Sequence, residues 1–228
     1  MIKKQNGRIE HKITLDESDY SYLKNCVQSI PYFFKNTYED RHVNSIYYDT
    51  INYQCAEDNL SGISKRYKTR LRWYNEIYEM DNPYLEYKLK TGGLGIKKRI
   101  PINAKINLSG YRHSQLNNLM SNELDNNDKV LYQYNNYNAV VIIRYNRSYY
   151  ESVTHKIRIT IDSNLQFYSQ LNSDKINIET EINKNRIMIL EIKYHEDLMS
   201  YVSDILQYLP YRVTKSSKYL MAVMSITR

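Results

Sequence analysis

Eight stretches of this sequence alternate polar and apolar residues with a period of two, and on most of them one face is rich in lysine and arginine. Period-two alternation is the signature of a half-buried strand. The stretches are Arg8–Thr14, His42–Asp49, Arg66–Tyr74, Tyr84–Lys90, Ile96–Ile100, Ala139–Tyr149, His155–Asp162 and Arg186–Tyr194. Arg8, Glu10 and Lys12 share one face. So do Arg66, Lys68, Arg70 and Arg72; Glu86, Lys88 and Lys90; Lys97 and Arg99; Lys156, Arg158, Thr160 and Asp162; Glu191 and Lys193. Opposite them lie Ile9, Ile13, Leu71, Trp73, Leu85, Ile157, Ile159, Leu190 and Ile192. An ordinary antiparallel sheet has one wet face and one core face. A wet face normally mixes charge signs, because like charges on neighbouring strands repel. A cationic face repeated across six strands calls for an anion. If the sheet closes, that face lines a lumen, and helices must cover the apolar exterior.

Helical spacing is rarer. Tyr20, Leu23, Val27 and Ile30 predict a helix over Asp16–Ile30 with Asp16 as its cap. Leu116, Leu119 and Met120 mark His113–Glu123, and Leu198, Val202, Ile205 and Leu209 mark Glu196–Leu209. A last helix follows Thr214, capped by Thr214 or Ser216, and Ser121–Lys129 is a loop. Gly92-Gly93 between two alternating runs signals a hairpin. The class is α+β, and the chain is expected to form a single domain over residues 1–228.

Composition narrows the function. The 32 Lys and Arg against 25 Asp and Glu leave a net charge of +7, which suits an anionic partner. Nucleic acid is not favoured: no helix-turn-helix, zinc-finger or RNP signature appears, and the cations alternate inward. Cys26 and Cys55 have no CxxC spacing, and the five histidines have no metal-ligand spacing. No signal peptide or membrane-length apolar run is present, so a cytoplasmic location is expected. No Ser-His-Asp or Cys-His set appears, which points away from a protein nucleophile. Glu10, Glu86 and Glu191 sit among the cations, either as ion pairs or, for one of them, as a ligand of a divalent cation bridging phosphates. The segment Thr214-Lys215-Ser216-Ser217-Lys218 opens a helix, where backbone N–H groups and ammonium groups converge on an anion.

These motifs together resemble the catalytic domain of the vacuolar transporter chaperone (VTC) polyphosphate polymerases, in the triphosphate tunnel metalloenzyme superfamily. They are RIEHKI (Arg8–Ile13), SIYYDT (Ser45–Thr50), RYKTRLRWY (Arg66–Tyr74), LEYKLK (Leu85–Lys90), IKKR (Ile96–Arg99), RYNR (Arg144–Arg147), KIRITID (Lys156–Asp162), LEIK (Leu190–Lys193) and TKSSKY (Thr214–Tyr219). The resemblance implies an eight-stranded antiparallel β tunnel that binds ATP and inorganic polyphosphate. It implies catalytic roles for Lys12, Arg70, Arg72, Lys88, Arg147, Arg158 and Glu191. Phosphate contacts would come from Lys68, Lys90, Lys97, Arg99, Lys193, Lys215, Ser217 and Lys218, with Glu191 holding Mn²⁺ or Mg²⁺. The wider superfamily opens with ExExK; here Arg8 stands at the first glutamate, which favours the polymerase branch and one metal over two. Neither the SPX domain nor the membrane anchor of the eukaryotic polymerases is legible. The implied reaction moves the ATP γ-phosphate to a growing phosphate chain. A tripolyphosphatase or nucleoside triphosphatase, and a binding module without turnover, are the alternatives.

Overall fold

The computed structural model describes residues 3–4, 8–92, 94–125, 137–154, 156–183 and 185–227. In chain order the elements are β1 (Lys3–Lys4), β2 (Arg8–Asp16), α1 (Tyr20–Ser29), β3 (Phe34–Asp49), α2 (Gln54–Leu60), β4 (Arg66–Tyr74), β5 (Glu79–Asp81), β6 (Tyr84–Thr91), β7 (Leu94–Pro101), β8 (Lys105–Asn107), α3 (His113–Glu123), β9 (Asn138–Ser152), β10 (Arg158–Ser169), β11 (Ile187–His195), α4 (Met199–Gln207) and α5 (Lys218–Ile226). The principal sheet runs β1-β7-β6-β4-β3-β9-β10-β11-β2, antiparallel at every pairing, and β5 pairs separately with β8.

The eight predicted strands are all present; β1 adds two residues at one edge. The edge strands β1 and β2 are consecutive in the chain. Four peptide steps separate Lys4 from Arg8 and reach no further than about 14 Å. The sheet therefore curls until its two edges approach each other. The β2 edge is also held by Thr214, whose N–H donates to the Lys12 carbonyl at 2.7 Å. The β6–β7 hairpin turns at Gly92, whose φ of +53° is open to glycine without strain.

Two apolar clusters lie on the convex side. Leu23 and Val27 of α1 and Val202 and Ile205 of α4 pack on Ile13, Ile157, Ile159, Ile161, Leu190 and Ile192. Leu116 and Met120 of α3 pack with Ile46, Leu71, Trp73 and Leu85. A third cluster lies on the concave side. Tyr219, Ala222 and Val223 of α5 pack on Tyr47, Val141, Ile143, Tyr145 and Ile189. Val141, Ile143 and Tyr145 share their face of β9 with Arg147, and Ile189 shares its face of β11 with Glu191. Helix α5 thus covers the apolar half of the concave face, which explains why Val43 through Asp49 of β3 are buried without a break.

Other boundaries shift. β10 starts at Arg158, so Lys156 lies outside it, and it continues to Ser169; β3 starts eight residues before the predicted His42, at Phe34. His155 and Gly93 lie outside the described residues, as does the predicted loop beyond Asp125. Asp16 caps a 3-10 turn that leads into α1, accepting from the Ser18 N–H at 2.9 Å. The cap of the last helix is Ser217, not Thr214 or Ser216. Helix α2 was not predicted. No helix among the described residues is long and apolar enough to cross a membrane.

Candidate functional site

The other half of the concave face surrounds a cavity of about 670 Å³, inside the range of about 300–1,000 Å³ usual for ligand sites. Twelve Lys and Arg side chains line it against four Glu, so it is built for a multiply charged anion. Lys12, Lys68, Arg70, Arg72, Lys88, Lys97, Arg147, Arg158, Glu191, Lys193, Ser217 and Lys218 all line it. Three predicted phosphate contacts do not. Lys90 and Lys215 point into solvent, and Arg99 lies over the Tyr84 ring at 3.5 Å.

Two carboxylate clusters organise the cations. Glu86 on β6 is 4 % exposed. Arg70 reaches it through Nε at 2.7 Å and Nη2 at 2.6 Å, Lys97 at 3.0 Å, Arg99 at 3.8 Å and Arg72 at 3.9 Å. Burial favours the neutral acid, yet the field of Arg70, Arg72 and Lys97 holds Glu86 far below the usual carboxylate range. Glu86 thereby fixes the guanidinium of Arg70, which also donates to Tyr47 Oη at 2.9 Å. Burial raises the Tyr47 phenol, but Arg70 and Arg72 outweigh it and lower it.

The second cluster joins β2, β9, β10, β11 and α5. Asp162, fully buried, takes Arg147 in a fork at 2.5 and 2.6 Å and also binds Lys218. Glu191 meets Lys193 at 2.6 Å, Lys12 at 3.4 Å, Lys218 at 3.5 Å and Arg147 at 3.9 Å. Burial opposes ionisation of Glu191, but Lys218, Lys193 and Lys12 depress it well below its ordinary value. Alternation places Asp162 and Glu86 on the cationic face; the sequence offers Glu86 as an ion pair or a cation ligand and gives Asp162 no role. Alone, each reads as an ordinary ion pair.

The position of α5 comes from a residue of the SIYYDT motif. Buried Asp49 accepts from the N–H groups of Thr50 at 2.7 Å, Cys55 at 2.8 Å and Ala56 at 3.1 Å, and from the Tyr219 hydroxyl. It therefore satisfies the start of α2 and ties α5 to β3. The Tyr219 ring stacks on Tyr47 at 5.1 Å. Ser217 and Lys218 follow from that anchor. Ser217 Oγ accepts from Lys68 Nζ at 2.9 Å, and the Ser216 carbonyl accepts from Lys12 Nζ at 3.3 Å.

Lys68 and Lys88 have no carboxylate within ion-pair distance among the described residues. Burial first, then the charges of Lys12, Lys88 and Arg70, push the Lys68 ammonium down to about 7. Without ligand, Lys68 is neutral in much of the protein above that pH; a bound polyanion restores its proton. Polyanion binding at pH 8 is therefore expected to take up about one proton per site and to tighten as pH falls toward 6. Calorimetry with tripolyphosphate in buffers of different ionisation enthalpy measures this. Lys68→Met should remove the uptake, and equal uptake by both proteins would exclude Lys68 as its source.

Among the described residues no three His, Cys, Asp or Glu side chains group as a metal cage. Glu191 nevertheless offers buried carboxylate oxygens. Across the ladder from it, Thr160 Oγ1 is buried without a hydrogen-bond partner among the described residues. That set fits a hard divalent cation that arrives with phosphates and water as its remaining ligands.

The VTC domain family matches residues 7–227. No curated protein matches the chain by sequence. A proposed adenylyl cyclase from Hippeastrum, described as having a dominant triphosphatase activity, superposes with a TM-score of 0.54 at 12% identity, over 95% of this chain and 96% of that one. A proposed adenylate cyclase from Bacillus halodurans gives 0.54 at 9% identity, over 94% and 98%. At these identities the likeness extends to the curled antiparallel fold.

Proposed function

The chain belongs to the VTC domain family, and from that premise we propose that it is a metal-dependent polyphosphate polymerase, transferring the γ-phosphate of ATP to an inorganic polyphosphate chain. The observation that carries this reading is the surplus of cations around one cavity, with Lys68 and Lys88 lacking ion-pair partners among the described residues. Phosphoryl transfer needs positioning and charge neutralisation more than a protein nucleophile. In this reading the terminal oxygen of the acceptor chain attacks the γ-phosphorus in line. Arg70 and Arg147, each held by a buried carboxylate, keep their planes fixed against phosphate oxygens without reorganising. Arg72 and Arg158 add donors, and Lys12, Lys88, Lys97 and Lys193 neutralise charge along the chain. Ser217 and Lys218, at the start of α5, bound the cavity where the phosphates end. Glu191 would hold a divalent cation, Mn²⁺ or Mg²⁺, which supplies charge neutralisation for the departing diphosphate.

One observation favours a hydrolytic reading. Helix α5 covers the far half of the concave face, so donor and acceptor chain share the remaining space, whereas a single tripolyphosphate needs no second opening. Product analysis separates the two. The protein with ATP, Mn²⁺ and a short polyphosphate primer, followed by phosphorus NMR, should give ADP and lengthened chains in equal amounts. Orthophosphate without chain growth would assign the protein as a hydrolase instead.

A further inference from the structure

We infer that Tyr47 is a further catalytic residue, whose phenolic O–H donates to an oxygen of the terminal phosphate, the group that is transferred. The inference rests on the phosphoryl-transfer reading of the cavity, in which the donor phosphates end at Ser217 and Lys218.

Buried Tyr47 stands on β3 between Arg70 of β4 and Val141 of β9. Its side chain therefore shares the concave face with Arg70, and it lines the cavity. The register of β3 against β9 shifts twice before Val43 and once more just after Tyr47, and bulges of this kind occur beside sites. Two contacts fix the phenol. Arg70 Nη1 donates to its oxygen at 2.9 Å, and its ring stacks at 5.1 Å on Tyr219, the residue after Lys218. Arg70 is fixed in turn by Glu86.

A phenol accepts through its oxygen and has one O–H to give. Arg70 occupies the oxygen and leaves the O–H uncommitted: no acceptor for it lies within hydrogen-bond distance among the described residues. The groups that face it offer none. They are Arg70 and Arg72 from β4, Lys218 and the Tyr219 ring from α5, and apolar Val141 from β9. Burial raises the phenol, but Arg70, Arg72 and Lys218 outweigh it and lower it. Guanidinium and ammonium groups only donate, so the acceptor is an oxygen of a bound anion. A phenol adds a donor here without adding a like charge. A donor already in place stabilises the charge on the transferring group without reorganising, and the proton stays on Tyr47.

Tyr47→Phe keeps the ring and its stack on Tyr219. It should lower kcat for ADP release from ATP with Mn²⁺ about 10²-fold, with KM changed far less. Arg70 also loses an acceptor in that variant, so a ring-fluorinated tyrosine placed at position 47 separates the two roles. Fluorine acidifies the phenol. The ionised oxygen still accepts from Arg70 but has no proton to donate. The donor role predicts that the alkaline limb of kcat moves to lower pH in the fluorinated protein. It also predicts that tripolyphosphate, added without metal, raises the pKa of that phenol in fluorine NMR. Parental kcat in Tyr47→Phe, an alkaline limb unmoved by fluorination, or a phenol that ignores tripolyphosphate overturns the donor role while phosphoryl transfer stands. A parent chain that releases no ADP overturns the reading beneath it as well.

Discussion

Glu191→Gln is expected to slow metal-dependent turnover of ATP by about 10³-fold, a loss of about 4 kcal/mol of transition-state stabilisation. The amide keeps the shape of the side chain but loses the charge that would hold the cation. The fold should survive, because the cations around Glu191 keep other partners. Lys12 retains Glu10 at 3.0 Å, Lys218 and Arg147 retain Asp162, and Lys193 is open to water. Steady-state kinetics beside a thermal unfolding scan separate the two effects. Parental turnover in the Gln variant would remove Glu191 from the mechanism.

Asp162→Ala should act on stability instead. It strips both Arg147 and Lys218 of their closest carboxylate in a site where neither can turn to bulk water. Breaking a buried pair from one side costs about 3–5 kcal/mol, or a fall in Tm of roughly 10 °C for a chain of this size. Tripolyphosphate should recover much of that loss, because it supplies anionic oxygens to the same two cations. The pH sign follows from the same geometry. Burial raises the Asp162 carboxyl, but Arg147 and Lys218 outweigh it and hold it below its unfolded value. Its contribution is complete above the unfolded pKa of about 4 and is lost as pH falls through the lower folded one. The variant should therefore lose less stability than the parent on acidification. A Tm unchanged by the substitution would contradict the role given to this cluster.

Alternation alone brought Lys12, Arg70, Arg72, Arg158, Glu191 and Lys193 to one surface, because period two is a property of the strand backbone; Arg147 entered only through the RYNR motif of the resemblance. What alternation could not report is where along a strand the lumen changes character. Val141, Ile143 and Tyr145 precede Arg147 on the same face, and only the docking of α5 shows why they are apolar. Helix α2 escaped because its acceptor, Asp49, stands five residues before Gln54 and serves it through space. Thr214 looked like a cap because threonine caps helices, but its N–H and hydroxyl are spent on β2, at the Lys12 carbonyl and Thr14. Arg99 shared its strand face with Lys97, yet its position near the mouth let Tyr84 capture it. The bulges of β3 have no glycine or proline to announce them.

The central claim is that the cationic half of the concave face is where a phosphate chain lies. A crystal structure of the protein grown with tripolyphosphate tests it most directly. The account predicts phosphate oxygens against Arg70, Arg147 and Lys218, between the Glu86 and Glu191 clusters, with Ser217 at one end. Phosphate bound only on the outer surface, with those side chains still closed on Glu86, Asp162 and Glu191, would contradict it.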